Sequence, residues 1–250
     1  MSRERYTFAQ KRCIALTGKL MQTTNMIHPG ARIGVAVSGG VDSWVLLNVL
    51  HIRQRIVPFK FEIMALHINP GFDPENHAPL LEWLDREGVA GHVELSDHGP
   101  VAHGPENRKR SACFYCAMLR RKRLFDLCAH YNLTHLAFGH NADDLAATFL
   151  MNLIQNGRVD GLRIQDDFFG GQLGVIRPML LVEKSAIIRA AKAWNLQVWK
   201  NNCPSAGNSR RADIEHELAE LYKLHPKAKT NVLNGLCRWE LNLTMAGKES

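Results

Sequence analysis

The sequence predicts an α/β fold, a parallel sheet of about five strands with helices on both faces. Three observations carry this. Short apolar runs of strand length alternate with amphipathic runs of helix length. Glycine, proline and asparagine punctuate the joins between them. The hydrophobic share, 46% of 250 residues, is enough to bury a sizeable core.

The elements follow in order. RIGVAV at 32–37 is a short buried strand, SGGVDS follows it, and SWVLLNVLHI at 43–52 has the apolar density of a buried helix. FEIMALHI at 61–68 is a second strand, ended by the turn chemistry of Asn69, Pro70 and Gly71. Residues 77–87 place Leu80, Leu81 and Leu84 on one helical face, and Gly88 stops that helix. Residues 91–95 form a weaker strand, and the His-, Gly-, Pro- and base-rich residues 96–112 form an exposed loop. A basic amphipathic helix over 114–131, a strand over 135–138 and a helix over 142–154 continue the alternation. Residues 157–174 carry glycines and little apolar periodicity and are expected as loop, with helices over 183–194 and 212–224. With no internal repeat and no linker, the expectation is one domain over 1–250, with helical end segments at 1–30 and 205–250.

No run of eighteen apolar residues exists, and MSRERYTFAQKRC lacks a signal-peptide pattern, so a cytoplasmic protein with no membrane partner is expected. Lysine and arginine exceed aspartate and glutamate, 31 against 24, which suits a polyanionic partner such as nucleic acid. Six cysteines are too sparse for a secreted disulfide framework. In a reducing compartment the pair Cys113 and Cys116 points to metal or redox chemistry.

SGGVDS (38–43) has two readings. As a turn, it is a glycine pair with a polar helix cap. As a phosphate loop, its glycines bring backbone N–H groups close, the helix start adds its positive end, and Asp42 holds a magnesium ion that shields the charge. It is neither a Walker A loop nor a GxGxxG turn. AFGHNADD (137–144) is likewise either a helix cap, with Asp143 and Asp144 favouring the macrodipole, or a magnesium or nucleotide site at a strand end. CFYCAMLRRKRL (113–124) presents two soft thiolates beside Arg120, Arg121, Lys122 and Arg123, cations that favour thiolate. One CxxC cannot close a four-cysteine zinc site, so zinc would need a histidine or a distant cysteine. The cationic run is either a grip on RNA phosphate or a solvated helix face. Cys13, Cys128 and Cys237 are given no chemistry beyond burial.

SGGVDS after a strand resembles the signature of the PP-loop ATP pyrophosphatases, whose fold is adenine-nucleotide alpha-hydrolase-like. GHNADD resembles the GHxxDD element of their tRNA-thiolating and lysidine-forming branch, and HINPGF (67–72) resembles that branch's second strand and following loop. CFYCAMLRR resembles the CxxCxxLRR element of tRNA 2-thiocytidine synthetases of the TtcA type. The resemblance spans the chain from the first strand to the helix after Cys203. It departs at Val41, where TtcA-type proteins commonly carry lysine, and in CPSAG, where relatives often show a second cysteine.

The resemblance implies an ATP-dependent sulfurtransferase that adenylates a tRNA nucleobase carbonyl, C2 of cytidine 32, and replaces its oxygen with sulfur. It implies ATP contacts from Ala36, Ser38, Gly39, Gly40, Asp42, Ser43, His67 and Gly139. Asp42, Asp143 and Asp144 become the catalytic carboxylates, with Asp42 and Asp144 on Mg2+. Cys113, Cys116 and Cys203 become ligands of a 4Fe-4S cluster with one iron left open to sulfide. Arg108, Lys109, Arg110, Arg120, Arg121, Lys122 and Arg123 become RNA contacts. Sulfur then comes from a donor system, a cysteine desulfurase or sulfide, and a homodimer is compatible with this. Two alternatives stay open at this point. One is a cluster enzyme acting on another tRNA position or on a free thiolated base; the other is a non-catalytic RNA-binding or cluster-carrying protein.

Overall fold

The computed structural model describes residues 6–105, 107–108, 110–199, 202–205, 210–225 and 227–239. Six strands form one sheet: β1 (Arg32–Ala36), β2 (Glu62–Asn69), β3 (Ala90–Leu95), β4 (His135–Ala137), β5 (Gln165–Phe168) and β6 (Leu173–Ile176). Their order is β3-β2-β1-β4-β6-β5. Every neighbouring pair is parallel except β5 with β6, which is antiparallel. The sheet thus has six strands rather than about five, and the expected loop over 157–174 holds β5 and the start of β6.

The helices are α1 (Phe8–Thr23), α2 (Val41–Gln54), α3 (Ala78–Glu87), α4 (His98–His103), α5 (Ala112–His130), α6 (Ala142–Asn156), α7 (Lys184–Ala193), α8 (Arg210–Leu224) and α9 (Ala228–Trp239). Local chemistry sets several ends. Thr7 and Gln10 make a reciprocal capping box on α1, Ser111 caps α5, and Gly88 ends α3 in the left-handed region. The one short helix within the expected loop 96–112 is α4, which packs against α5.

Alternating side chains divide the core between the two faces of the sheet. On β2, Ile63 and Ala65 join one apolar cluster, whereas Met64, Leu66 and Ile68 join the other. The first cluster holds the buried faces of α1, α2, α3 and α7, with Trp44 fully buried at its centre. The second is capped by Leu124, Leu127 and Cys128 of α5. Helices therefore cover both faces, as a parallel sheet requires.

From β1 the chain steps outward to β2 and β3 on one side and to β4 and β6 on the other. The strand order thus reverses between β1 and β4. In open parallel sheets that reversal opens a crevice at the strand carboxyl ends, where ligands sit. SGGVDS follows β1 and GHNADD follows β4, so the topology brings both strings to that crevice.

Candidate active site

The loop after β1 is closed by its own serines. Ser43 Oγ donates to Gly40 O at 2.9 Å and accepts from the Ser38 backbone N–H at 3.1 Å. Ser38 Oγ lies 3.2 Å from Ser43 Oγ. Gly39 has φ +87°, a conformation that strains any side-chain-bearing residue, and the Trp199 ring occupies the space a Cβ would need. Trp199 also donates its backbone N–H to Gly39 O at 3.1 Å. Gly40 is the N-cap of α2 and Asp42 lies in its first turn, so the loop ends on a positive helix terminus.

The second string packs onto the first. A Cβ on Gly139 would meet Asp42 C and Ser43 N at 2.9 Å, so only glycine lets the two backbones approach this closely. Asn141 caps α6, its Oδ1 accepting from the Asp143 and Asp144 N–H groups at 2.9 and 3.1 Å. Asp144 Oδ2 returns the bond from Asn141 N at 2.8 Å. The remaining amide hydrogens of Asn141 face the other motif, and Nδ2 donates to Asp42 Oδ1 at 3.0 Å.

Three cations complete the carboxylate cluster. Lys184 Nζ, at the start of α7, contacts Asp42 Oδ2. Arg211 of α8 reaches Asp144 Oδ1 at 2.5 Å, and Lys229 of α9 reaches Asp143 Oδ1 at 2.6 Å. The Lys184 backbone N–H holds Asp143 Oδ2 at 2.7 Å. Burial raises the Asp144 carboxyl, Arg211 opposes that shift, and the Asp42 charge adds to it.

A cavity of about 300 Å³ opens at this point, lined by Ser38, Asp42 and Ser43 on one side and by Gly139, His140 and Asp144 on another. Arg120 and Arg121 of α5 form its far wall. Ala36 lines it, and Gly39 and Gly40 complete the loop beside it. His67 lies behind the loop. It is buried, donates from Nδ1 to Val37 O at 2.7 Å, and packs against Trp199. Burial lowers His67 to about 4, and desolvation, with the charges of Arg177, Arg211 and Arg121 adding to it, likewise lowers the half-buried His140 to about 4. Both rings are neutral near pH 7.

Cys113 and Cys116 stand in the first turns of α5. Cys113 Sγ points to Ser205 O at 3.8 Å, and His103 Nε2 accepts from Ser205 Oγ at 2.8 Å, which brings the segment after Cys203 against the CxxC. Burial raises the Cys116 thiol; Arg120 opposes this, and the Cys203 and Cys113 thiols add to it. Among the described residues no three His, Cys, Asp or Glu side chains are gathered tightly enough for a single metal ion. A four-iron cluster spreads its thiolates wider, and the soft thiols of Cys113, Cys116 and Cys203, none of them fully buried, fit it. Asp42 and Asp144, hard oxygen donors facing one cavity, fit magnesium. Cys13, Cys128 and Cys237 are buried, and burial pushes Cys13 up to about 11 and Cys128 up to about 12, as inert packing residues.

The expected RNA contacts divide. Arg120 and Arg121 face the cavity, while Lys122, Arg108 and Arg110 are exposed, Arg110 stacking over Phe114 at 5.5 Å. Arg123 is engaged elsewhere, in a two-pronged pair with Glu94 at 2.7 and 2.8 Å. Lys109 lies outside the described residues. Sequence reasoning missed Asn141, Lys184, Arg211 and Lys229. The cap position of Asn141 was open to detection; no local spacing marks the other three.

The PP-loop domain family matches residues 13–221. A tRNA-cytidine(32) 2-sulfurtransferase from Bordetella pertussis is 33% identical over 235 residues, 91% of this chain and 72% of its own. The namesake from Syntrophotalea carbinolica is 33% identical over 224 residues, 88% of this chain and 86% of its own. Among solved structures, the fold is that of the U34-tRNA thiolase NcsA from Methanococcus maripaludis with its 4Fe-4S cluster. The TM-score is 0.73 at 21% identity, over 95% of this chain and 82% of that one. With the SGGVDS loop and a carboxylate pair meeting at the sheet's switch point, and relatives of this length and identity, the chain belongs to the PP-loop family and, within it, to the tRNA-cytidine(32) 2-sulfurtransferases.

Proposed function

We propose that this enzyme thiolates C2 of cytidine 32 in tRNA at the expense of ATP, in the cytoplasm where tRNA is modified. One observation carries the reading. The cavity that joins Asp42 to Asp144 has α5 as its other wall, and α5 carries Cys116 one turn and Cys113 two turns before Arg120. The nucleotide half and the sulfur half of the site thus share one helix.

In this reading the backbone of residues 38–40 and the Ser38 and Ser43 hydroxyls hold the phosphates, with Ala36 and Gly139 beside them. His67 holds the loop from behind through Val37 O. Asp42 and Asp144 hold magnesium, which shields the phosphate charges, and Asp143 orients Lys184 and Lys229. The base oxygen attacks the α-phosphate and pyrophosphate leaves. Sulfur then adds at C2 and AMP departs with the oxygen, so C=O becomes C=S. Fixed charge around the α-phosphate supplies the stabilisation, and no side chain acts as a strong base. Cys113, Cys116 and Cys203 would hold the 4Fe-4S cluster, and the chemistry it would supply is delivery of sulfur that originates in a cysteine desulfurase or free sulfide. Arg120 and Arg121 at the cavity, with Arg108, Arg110 and Lys122 around it, draw in the RNA backbone.

Mass spectrometry of tRNA nucleosides from cells with and without the gene tests this. The expected result is loss of 2-thiocytidine alone; unchanged 2-thiocytidine overturns the assignment.

A further inference from the structure

Both carboxylates that would hold magnesium are already engaged. Asp42 Oδ1 accepts from Asn141 Nδ2 at 3.0 Å and Oδ2 meets Lys184. Asp144 Oδ2 accepts from Asn141 N at 2.8 Å and Oδ1 meets Arg211 at 2.5 Å. One oxygen of each therefore pairs with a long, flexible cationic side chain, and the other accepts a hydrogen bond from the cap residue Asn141.

The loop itself offers the phosphates no cation. Residues 38–43 contain neither lysine nor arginine, and Val41 packs against the apolar core. On the α5 side Arg120 and Arg121 supply charge, but among the described residues only Lys184 and Arg211 form ion pairs with Asp42 and Asp144. Lys229 is occupied separately, on Asp143 and Glu183.

We propose that Lys184 and Arg211 are phosphate-binding residues held in reserve on the magnesium carboxylates. On Mg-ATP binding the partners would exchange: Asp42 and Asp144 would hold the metal, and the Lys184 ammonium and Arg211 guanidinium they release would take phosphate oxygens. Each charge trades one opposite partner for another in the exchange, so no partly buried charge is left unpaired. Arg211 keeps a second anchor in Glu215 at 3.0 Å, which limits how far it swings. The exchange also makes nucleotide-free metal binding weak, because a bare ion has to displace two cations with no phosphate to receive them. The proposal rests on the reading that Mg-ATP binds in this cavity.

The test uses two binding measurements on the full-length, cluster-loaded protein. Mn2+ without nucleotide is titrated by electron paramagnetic resonance, and Mg-ATP by calorimetry. Lys184→Met and Arg211→Met are each expected to bind Mn2+ alone about tenfold more tightly and Mg-ATP about tenfold more weakly. Lys184→Arg is expected to return both values toward wild type. The opposite signs are the signature of exchange, since a merely structural residue would weaken both. Any other pattern overturns the exchange while leaving the nucleotide site intact. A wild-type protein that binds no Mg-ATP overturns the site reading itself.

Discussion

Asn141 donates from Nδ2 to Asp42 Oδ1 at 3.0 Å while its Oδ1 caps α6. One side chain thus ties the carboxylate after β1 to the helix after β4, and its two ends do separable work. Asn141→Asp should keep the cap and its stability but set an anion against Asp42, cutting ATP–pyrophosphate exchange by tenfold or more. Asn141→Ala should lose both, at a cost of about 1 kcal/mol in stability. Urea titration beside the exchange assay separates the two effects.

Gly139 sets the spacing of the two motifs. Gly139→Ala pushes a methyl to 2.9 Å from the Asp42 and Ser43 backbone, and overpacking of this kind costs about 1–3 kcal/mol. Mg-ATP affinity, measured by calorimetry, should fall about ten- to hundredfold. Gly157→Ala, at a helix end with φ +60° and open space, should cost stability locally and leave that affinity unchanged.

The cysteines divide by exposure. Cys113→Ser, Cys116→Ser and Cys203→Ser should each lose the broad visible absorption of anaerobically reconstituted protein while retaining Mg-ATP binding. Cys128→Ser should keep the absorption and lose about 1–3 kcal/mol of stability, because it puts a hydroxyl into an apolar cluster. Zinc without labile sulfide in the wild type would refute the cluster assignment.

Glu94 fastens α5 to β3. Arg123 above all, with His92 beside it, holds the Glu94 carboxyl down to about 2 from its ordinary 4.5. A depressed carboxyl stabilises the fold above its unfolded value and stops doing so as pH falls through its folded one. Since Arg123 is partly solvated, Glu94→Gln should cost about 1–2 kcal/mol at pH 7. That difference should close as pH drops from about 4.5 toward 2, followed by chemical denaturation across the range.

The contrast with what the sequence foretells is physical. SGGVDS and GHNADD are legible because strand, turn and helix signals lie within a few residues of them. β5 is not, since Gln165, Asp166 and Asp167 carry no apolar period and the strand pairs only at the sheet's edge. The prolines and glycines around α4 mark a loop, and only packing on α5 makes one turn and a half of it helical. Lys184 meets Asp42 from 142 residues away, Lys229 meets Asp143 from 86, and Arg211 meets Asp144 from 67. Such partners follow from tertiary topology, which no local spacing encodes.

The antiparallel edge has a consequence for how folded copies of the chain meet one another. A sheet that ended on β6 would expose the backbone of LGVI, four fully apolar positions ready to recruit strands from other molecules. β5 covers them with Asp166 and Asp167, and Arg177 clamps Asp166 at 2.7 Å. The acidic hairpin therefore acts as a gatekeeper against self-assembly, and neutralising those two aspartates is expected to lower the yield of dispersed protein more than it lowers catalysis.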